Sequence, residues 1–334
     1  MSLSNSVNQT VSGSVFIDTL SFTTHFPDSM LFDDGFSEDD SDLAIGHINS
    51  LISKLGFCVK VKNNYGKNFY KNSAFIEFTD EVREESEATE AVIGFVAFGG
   101  NNNTFHVYLT GFACDYLNLN DMFPEVYKIL INSDSKINRC DTAFDCVEGE
   151  RTLDDVVSWW DGGRFSTKGN RPTKYSQLGC WLGNEKHSRT FYVGSRESTK
   201  YFRAYEKGHQ LGDMESKWVR FEMEFKAKNK AIIPMDILIK PDFYLRNSYD
   251  CLDFIPSNSS GDGIKYSIKK KIEVTIDQAI CHAKKQYGKL VNVMVEMGFN
   301  HDDIVNKISR EGVPARLIVP PYFVVKQDDN LPPF

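Results

Sequence analysis

Apolar and polar residues alternate along much of the chain, and the period switches between two and about 3.6. Period two, with β-branched and aromatic residues, predicts strands over residues 14–24, 57–62, 74–78, 93–98, 104–110 and 137–147. The same signal recurs over 190–195, 200–206 and 217–226, the first two joined as a hairpin. Asp18 interrupts the first of these strands. Helical spacing appears at Leu43, Ile48, Leu51, Ile52 and Leu55, with Gly56 as the stop. Further helices are expected over 119–132, 152–160 and 275–288, with 290–297 either continuing the last or forming a second element, and over 301–309 behind an Asn300 cap. Residues 27–42 read as an acidic loop, residues 80–90 as an acidic connection and 164–175 as a basic loop; 232–239 fits a strand or a helix.

This order of elements predicts an α+β fold, antiparallel sheets with packed helices, followed by a C-terminal helical appendage. Residues 1–13 read as a flexible tail, 14–246 as the main α+β domain, 247–265 as a turn-rich linker around PSNSSGDG, and 266–334 as the appendage. A short echo joins IDTLSF at 17–22 to CDTAFD at 140–145. Both are strands that carry an aspartate and precede a helix, which suggests two similar halves.

Charge changes the picture locally. The net charge is −8, which by itself speaks against a polyanionic partner. Residues 161–230, however, hold about 15 Lys and Arg against 8 Asp and Glu, and local fields matter more than totals for such a ligand. Seven cysteines without a CxxC pair argue for reduced thiols and a cytoplasmic setting. No apolar run is long enough for a membrane span, and the polar N-terminus gives no expectation of a secretory signal.

The candidate chemistry lies on the strands. Asp141 and Asp145 share one strand face, and buried like charges there require a compensating cation. Glu222 and Glu224 share a face of the strand at 217–226, either as ligands or as a solvated row with Arg220 and Lys226. Hard carboxylate oxygens of this kind suit Mg²⁺ or Mn²⁺. Tyr201, Arg203, Tyr205 and Lys207 fall on one polar face; the tyrosines are either amphipathic sheet residues or a nucleophile activated by a metal or by the neighbouring cations. Histidine spacing supports no zinc site, and no nucleotide-binding phosphate loop or Ser-His-Asp signature is present.

FIDTLSFT at 16–23, RCDTAFD at 139–145, TFYVGSRESTKYFRAYEKG at 190–208 and WVRFEMEFK at 218–226 occur in the order of a known family. The chain resembles the replication initiation factor family of rolling-circle initiators, and within it the filamentous-phage, RstA-like replication proteins. The resemblance covers residues 15–230. It implies a sheet plan distantly like that of histidine-type nickases, with acidic metal ligands in place of the histidine pair. It implies a metal-dependent site-specific DNA nickase: a tyrosine attacks one strand at the origin, keeps a 5′-phosphotyrosyl link, and later rejoins the displaced strand. Tyr205 matches the family tyrosine, with Tyr201 and then Tyr192 behind it; Asp141, Asp145 and Glu222 match the acids, and Glu224 stands beside them. Arg203 and Lys207 would steady the phosphate. Arg164, Lys168, Arg171, Lys174, Arg196 and Lys200 would contact DNA. The implied partners are supercoiled origin DNA, single-stranded at the nick, with a host helicase and polymerase in a bacterial cytoplasm. A non-catalytic DNA-binding regulator and a mobilisation relaxase are the alternatives.

Overall fold

The computed structural model describes residues 13–27, 29, 30, 32, 37–63, 65–86, 92–166, 173–182, 188–228, 231–257 and 276–310. The chain divides into two compact units, Met1–Lys269 and Lys270–Phe334.

The first unit is an α+β structure on one ten-stranded sheet in which every neighbouring pair runs antiparallel. Its strands are β1 (Phe16–His25), β2 (Phe57–Asn63), β3 (Asn72–Phe78), β4 (Gly94–Phe98), β5 (Thr104–Leu109), β6 (Lys136–Cys146), β7 (Tyr175–Leu178), β8 (Thr190–Gly194), β9 (Lys200–Glu206) and β10 (Val219–Lys226). Its helices are α1 (Glu38–Ile52), α2 (Asp80–Ser86), α3 (Gly111–Leu119), α4 (Phe123–Asn132), α5 (Leu153–Asp161), α6 (Lys207–Gln210) and α7 (Pro241–Arg246).

The strand order, β2-β3-β4-β5-β1-β6-β10-β9-β8-β7, repeats one plan from both ends. In each half the first strand, β1 or β6, lies at the centre and pairs with the last strand of its own half, β5 or β10. The halves meet where β1 pairs with β6. In each half the next helix opens with a reciprocal cap, Ser37 with Asp40 for α1 and Thr152 with Asp155 for α5.

Alternation along the strands separates two chemistries. One set of positions, including Phe22, Phe78, Phe98, Phe105, Phe202, Phe221 and Phe225, is buried with Ile48 of α1, Leu117 of α3, Leu130 of α4, Val156 of α5 and Leu245 of α7 in one continuous core. The intervening positions of β6, β9 and β10 carry the charged residues.

Several boundaries differ from the sequence reading. The acidic loop ends early, because the Ser37 cap lets Glu38, Asp39 and Asp40 form the first turn of α1, where acids are favourable. The helix expected over 119–132 starts later, at Phe123, behind a separate and unexpected helix, α3, that ends at Leu119. The chain turns at Asp121 (φ 51°), and α4 restarts with a proline in its first turn. The acidic 80–90 connection contains α2, and β7 and α7 arise where no element was expected. The linker expected at 247–265 begins too early: Cys251, Leu252 and Ile255 are fully buried in the core of the first unit.

In the second unit, α8 (Ile276–Glu296) runs through both apolar segments read from the sequence. The Asn300 side chain accepts from the Asp303 amide at 2.8 Å to start α9 (His301–Ile308). No helix among the described residues is long and apolar enough to cross a membrane.

Candidate active site

The charged positions of β6, β9 and β10 face one another across the ladders. Arg203 of β9 lies opposite Glu222 of β10, and Tyr205 lies opposite Arg220, which in turn faces Asp145 of β6. Tyr201 faces Glu224, which faces Asp141. The tyrosines, cations and acids that the sequence placed on separate strand faces therefore share one face of one sheet.

Asp18 is brought in by an irregularity. The β1–β6 register shifts between Ile17 and Thr19, so Asp18 is the extra residue of a bulge. A bulge leaves backbone groups unpaired, and here the Asn118 side chain of α3 satisfies them: Ile17 N–H donates to its Oδ1 (3.3 Å), and its Nδ2 donates to the Ile17 carbonyl (2.7 Å). Leu20 and Phe22 stay in the core with Ile17 on the other side of the shift. One carboxylate oxygen from each of Asp18, Asp141 and Glu222 then lies within 4.8 Å of the others.

Asp141 and Glu222 are fully buried, so their charges need strong partners. Arg139 donates to both oxygens of Asp141 (2.8 and 2.6 Å), and Arg203 bridges Asp141 (3.2 Å) and Glu222. Arg220 donates to both oxygens of Asp145 (2.7 and 2.9 Å) and to Asp18 (2.8 Å). Burial raises the Glu222 pKa, and the nearby Asp18 raises it further, against the opposing pull of Arg203. Burial also raises Asp141, opposed first by Arg139.

Asp18, Glu222, Arg203 and Arg220 line a cleft of about 700 Å³. Tyr205 lines it and its hydroxyl donates to Glu222 Oε2 at 3.3 Å. Burial and the Glu222 charge hold that phenol well above its ordinary pKa. Lys207 also lines the cleft, with its pKa lowered by burial and then by Arg220. Asp115 of α3 lines the same wall; burial and Asp18 push its carboxyl up to about 7. Across the cleft, buried Arg189 ties Glu206 of β9 (2.8 Å) to Asp154 at the start of α5 (2.9 Å).

The other sequence candidates separate. Tyr192 lines the cleft but stacks on Tyr201, ring centroids 5.4 Å apart, and Tyr201 is buried away from the cleft lining. Asp145 is held by Arg220, and Glu224 by Arg139 (2.9 Å) and Lys226; neither is in the carboxylate group of Asp18, Asp141 and Glu222. Lys200 points to the other side of β9, against the Tyr249 ring and the Ser248 carbonyl (3.1 Å), and burial lowers its pKa to about 8. Arg164 is engaged by Asp253 and the Asp250 carbonyl. Arg196 and Lys174 are exposed. Lys168 and Arg171 lie outside the described residues.

Asp18 is the residue the sequence reading left out of its ligand set. The signal was the echo itself: Asp18 and Asp141 occupy the same place in IDTLSF and CDTAFD.

The donor set fits a divalent cation. All three groups supply hard oxygens, and a cation among them removes the repulsion that raises Glu222. Among the described residues, buried Arg203 Nε meets no hydrogen-bond partner, while Arg203 itself lines the cleft.

Fold and site thus define an α+β protein with an acidic, arginine-bridged cleft at the centre of its sheet. The profile of the family described as "Replication initiation factor" matches residues 135–308, more than half of the chain, and the chain belongs to that family. The matched residues include Asp141, Tyr205 and Glu222 but begin beyond Asp18. Among solved structures, the chain is similar to a rolling circle replication initiator protein from Geobacillus stearothermophilus, at 19% identity and a TM-score of 0.44, over 64% of this chain and 74% of that one. No curated protein matches the chain.

Proposed function

We propose that the protein initiates rolling-circle replication by nicking one DNA strand with Tyr205. The observation that carries this reading is the Tyr205 hydroxyl bonded to Glu222 at the edge of the three-carboxylate group, in a chain of the replication initiation factor family. Asp18, Asp141 and Glu222 would hold Mg²⁺ or Mn²⁺, which supplies Lewis-acid stabilisation of a phosphodiester and favours a phenolate.

Tyr205 attacks the phosphorus and its hydroxyl proton passes to Glu222, the carboxylate that accepts its hydrogen bond. The bond from phosphorus to the 3′ oxygen breaks, leaving a 5′-phosphotyrosyl link. The departing 3′ oxygen takes up a proton, which Asp115 on the same wall is placed to supply. Lys207 and Arg203 line the same cleft and would stabilise the charge of a phosphate bound there. The free 3′-OH then primes a host polymerase, with a host helicase opening the duplex, and attack by a 3′-OH on the phosphotyrosine reverses the step to close the displaced strand. Tyr205 is favoured over Tyr192, whose ring is stacked on Tyr201, and over Tyr201, which is buried. Arg196 and Lys174 remain available to the DNA backbone, and the reaction belongs in a bacterial cytoplasm.

The test is incubation of a supercoiled plasmid library, made from the element that encodes the protein, with Mg²⁺ or Mn²⁺. Wild type is expected to give open circles with protein on the 5′ end, dependent on the cation and on Tyr205. A protein that binds this DNA and never cuts it is a regulator, contrary to the proposal.

A further inference from the structure

The same sheet carries a second organised row, which up to Ser21 lies outside the residues that match the family. Phe75 of β3 lies opposite Phe95 of β4, Phe95 opposite Tyr108 of β5, Tyr108 opposite Ser21 of β1, and Ser21 opposite Arg139 of β6. Directly paired residues share a sheet face, so this row lies on the face of Asp141 and Glu222. Five strands span roughly 20 Å at about 4.8 Å per step.

The row is aromatic at one end and joins the catalytic cleft at the other. Phe75, Phe95 and Tyr108 are half-buried, although their neighbours Ile76, Val96 and Val107 on the opposite face are fully buried. Phe95 and Tyr108 stack with centroids 5.2 Å apart and planes 21° apart, and His106 lies 6.0 Å from Phe95. Arg139 and Asp141 both act electrostatically on the Tyr108 phenol, so the aromatic row and the carboxylates are neighbours. The exposed charges at the ring edges are lysines, and Glu77, on the Phe75 face of β3, is paired with Arg83 (2.9 Å). Exposed Lys67 sits with Nζ 3.5 Å from the Phe95 ring centroid, and exposed Lys136 faces Thr23 in the adjoining row.

We infer that Phe75, Phe95 and Tyr108 form a stacking platform for the bases of single-stranded DNA beside the nick. This rests on the nickase reading for its choice of strand. Aromatic faces on adjacent strands accept bases of any sequence, and cations at their edge accept the phosphates. A base on Phe95 displaces the Lys67 ammonium, which then reaches the backbone of the same strand. Continuity with the cleft and the positive rim favour a polyanion with flat rings over a protein partner.

The test uses a fluorescently labelled 15-residue oligothymidylate in chelator, where nicking is silent, read by anisotropy. Phe95→Leu and Tyr108→Leu keep apolar volume and lose the ring; each is expected to weaken binding about tenfold. Tyr108→Phe keeps the ring and is expected to bind within about twofold of wild type. Leucine variants that melt like wild type and bind like wild type overturn the inference, as does equal competition by a duplex of the same length. Should a leucine variant fail to fold, wild type photocrosslinked to 5-iodouracil DNA decides: adducts on Phe75, Phe95 or Tyr108 support the platform, and adducts confined elsewhere overturn it. Wild type that nicks normally while the leucine variants bind normally sinks the platform alone. Wild type that binds through the row and never nicks supports the platform and counts against the nickase.

Discussion

The two halves of the sheet share a plan and differ in what they place on one face. Around β10 and β9 that face is Arg220, Glu222, Glu224, Arg203 and Tyr205, charges packed at bonding distance. The corresponding strands of the first half, β5 and β4, carry Tyr108, His106 and Phe95. The halves agree where they meet: β1 and β6 each supply an aspartate, Asp18 and Asp141, and only together with Glu222 do these make a ligand group. On the proposed reading, the duplicated framework divides labour, with shared chemistry at the seam, reaction on one flank and strand handling on the other.

The largest effect that separates the flanks is chemical. Tyr205→Phe should lower nicking at least about a thousandfold, because no second hydroxyl sits on Glu222, while Tyr201→Phe stays near wild type. Equal losses from both would remove the assignment of the nucleophile. The seam is tested next. Asp18→Asn, which changes a first-half residue outside the family match, should cost about a hundredfold or more, like Asp141→Asn in the second half. If only Asp141→Asn matters, the site belongs to one half.

Stability should show the same asymmetry. Arg220→Met removes the arginine that Asp145 and Asp18 share and is expected to cost roughly 3–5 kcal/mol by denaturant titration. Thr23→Val in the first half removes neutral hydrogen bonds to Asn138 and His106 and should cost about 1 kcal/mol.

The pH response gives a smaller effect with a definite sign. The Asp115 carboxyl rises from 3.8 to about 7 on folding, so the folded chain binds its proton more tightly than the unfolded chain. Its contribution to stability is therefore full below the unfolded value and declines as pH rises from about 4 to about 7, by roughly 1–3 kcal/mol. Asp115→Asn should flatten that part of the curve in melting experiments without added metal.

Much of this arrangement was legible in the residues. Alternation exposed nine of the strands, and the spacing of Asp141 with Asp145 called for a compensating cation, a need that Arg139, Arg203 and Arg220 meet. What alternation could not show was register. Glu222 and Glu224 are equivalent in a strand pattern, yet only Glu222 joins Asp141 and Asp18 in the carboxylate group; Glu224, although paired with Asp141 in the ladder, is held by Arg139 and Lys226. Asp18 was hidden for a related reason: a bulge changes which way one side chain points, and the sequence carries no period for it. Lys200 looked like a surface cation, but its parity on β9 is that of buried Phe202.

The most direct measurement is mass spectrometry of the covalent complex formed on the supercoiled library with Mn²⁺ and then digested to peptides. The account predicts a 5′-phosphonucleotide on Tyr205, absent when Asp18 is replaced by Asn. An adduct on Tyr192, Tyr201 or a residue away from the cleft would contradict it.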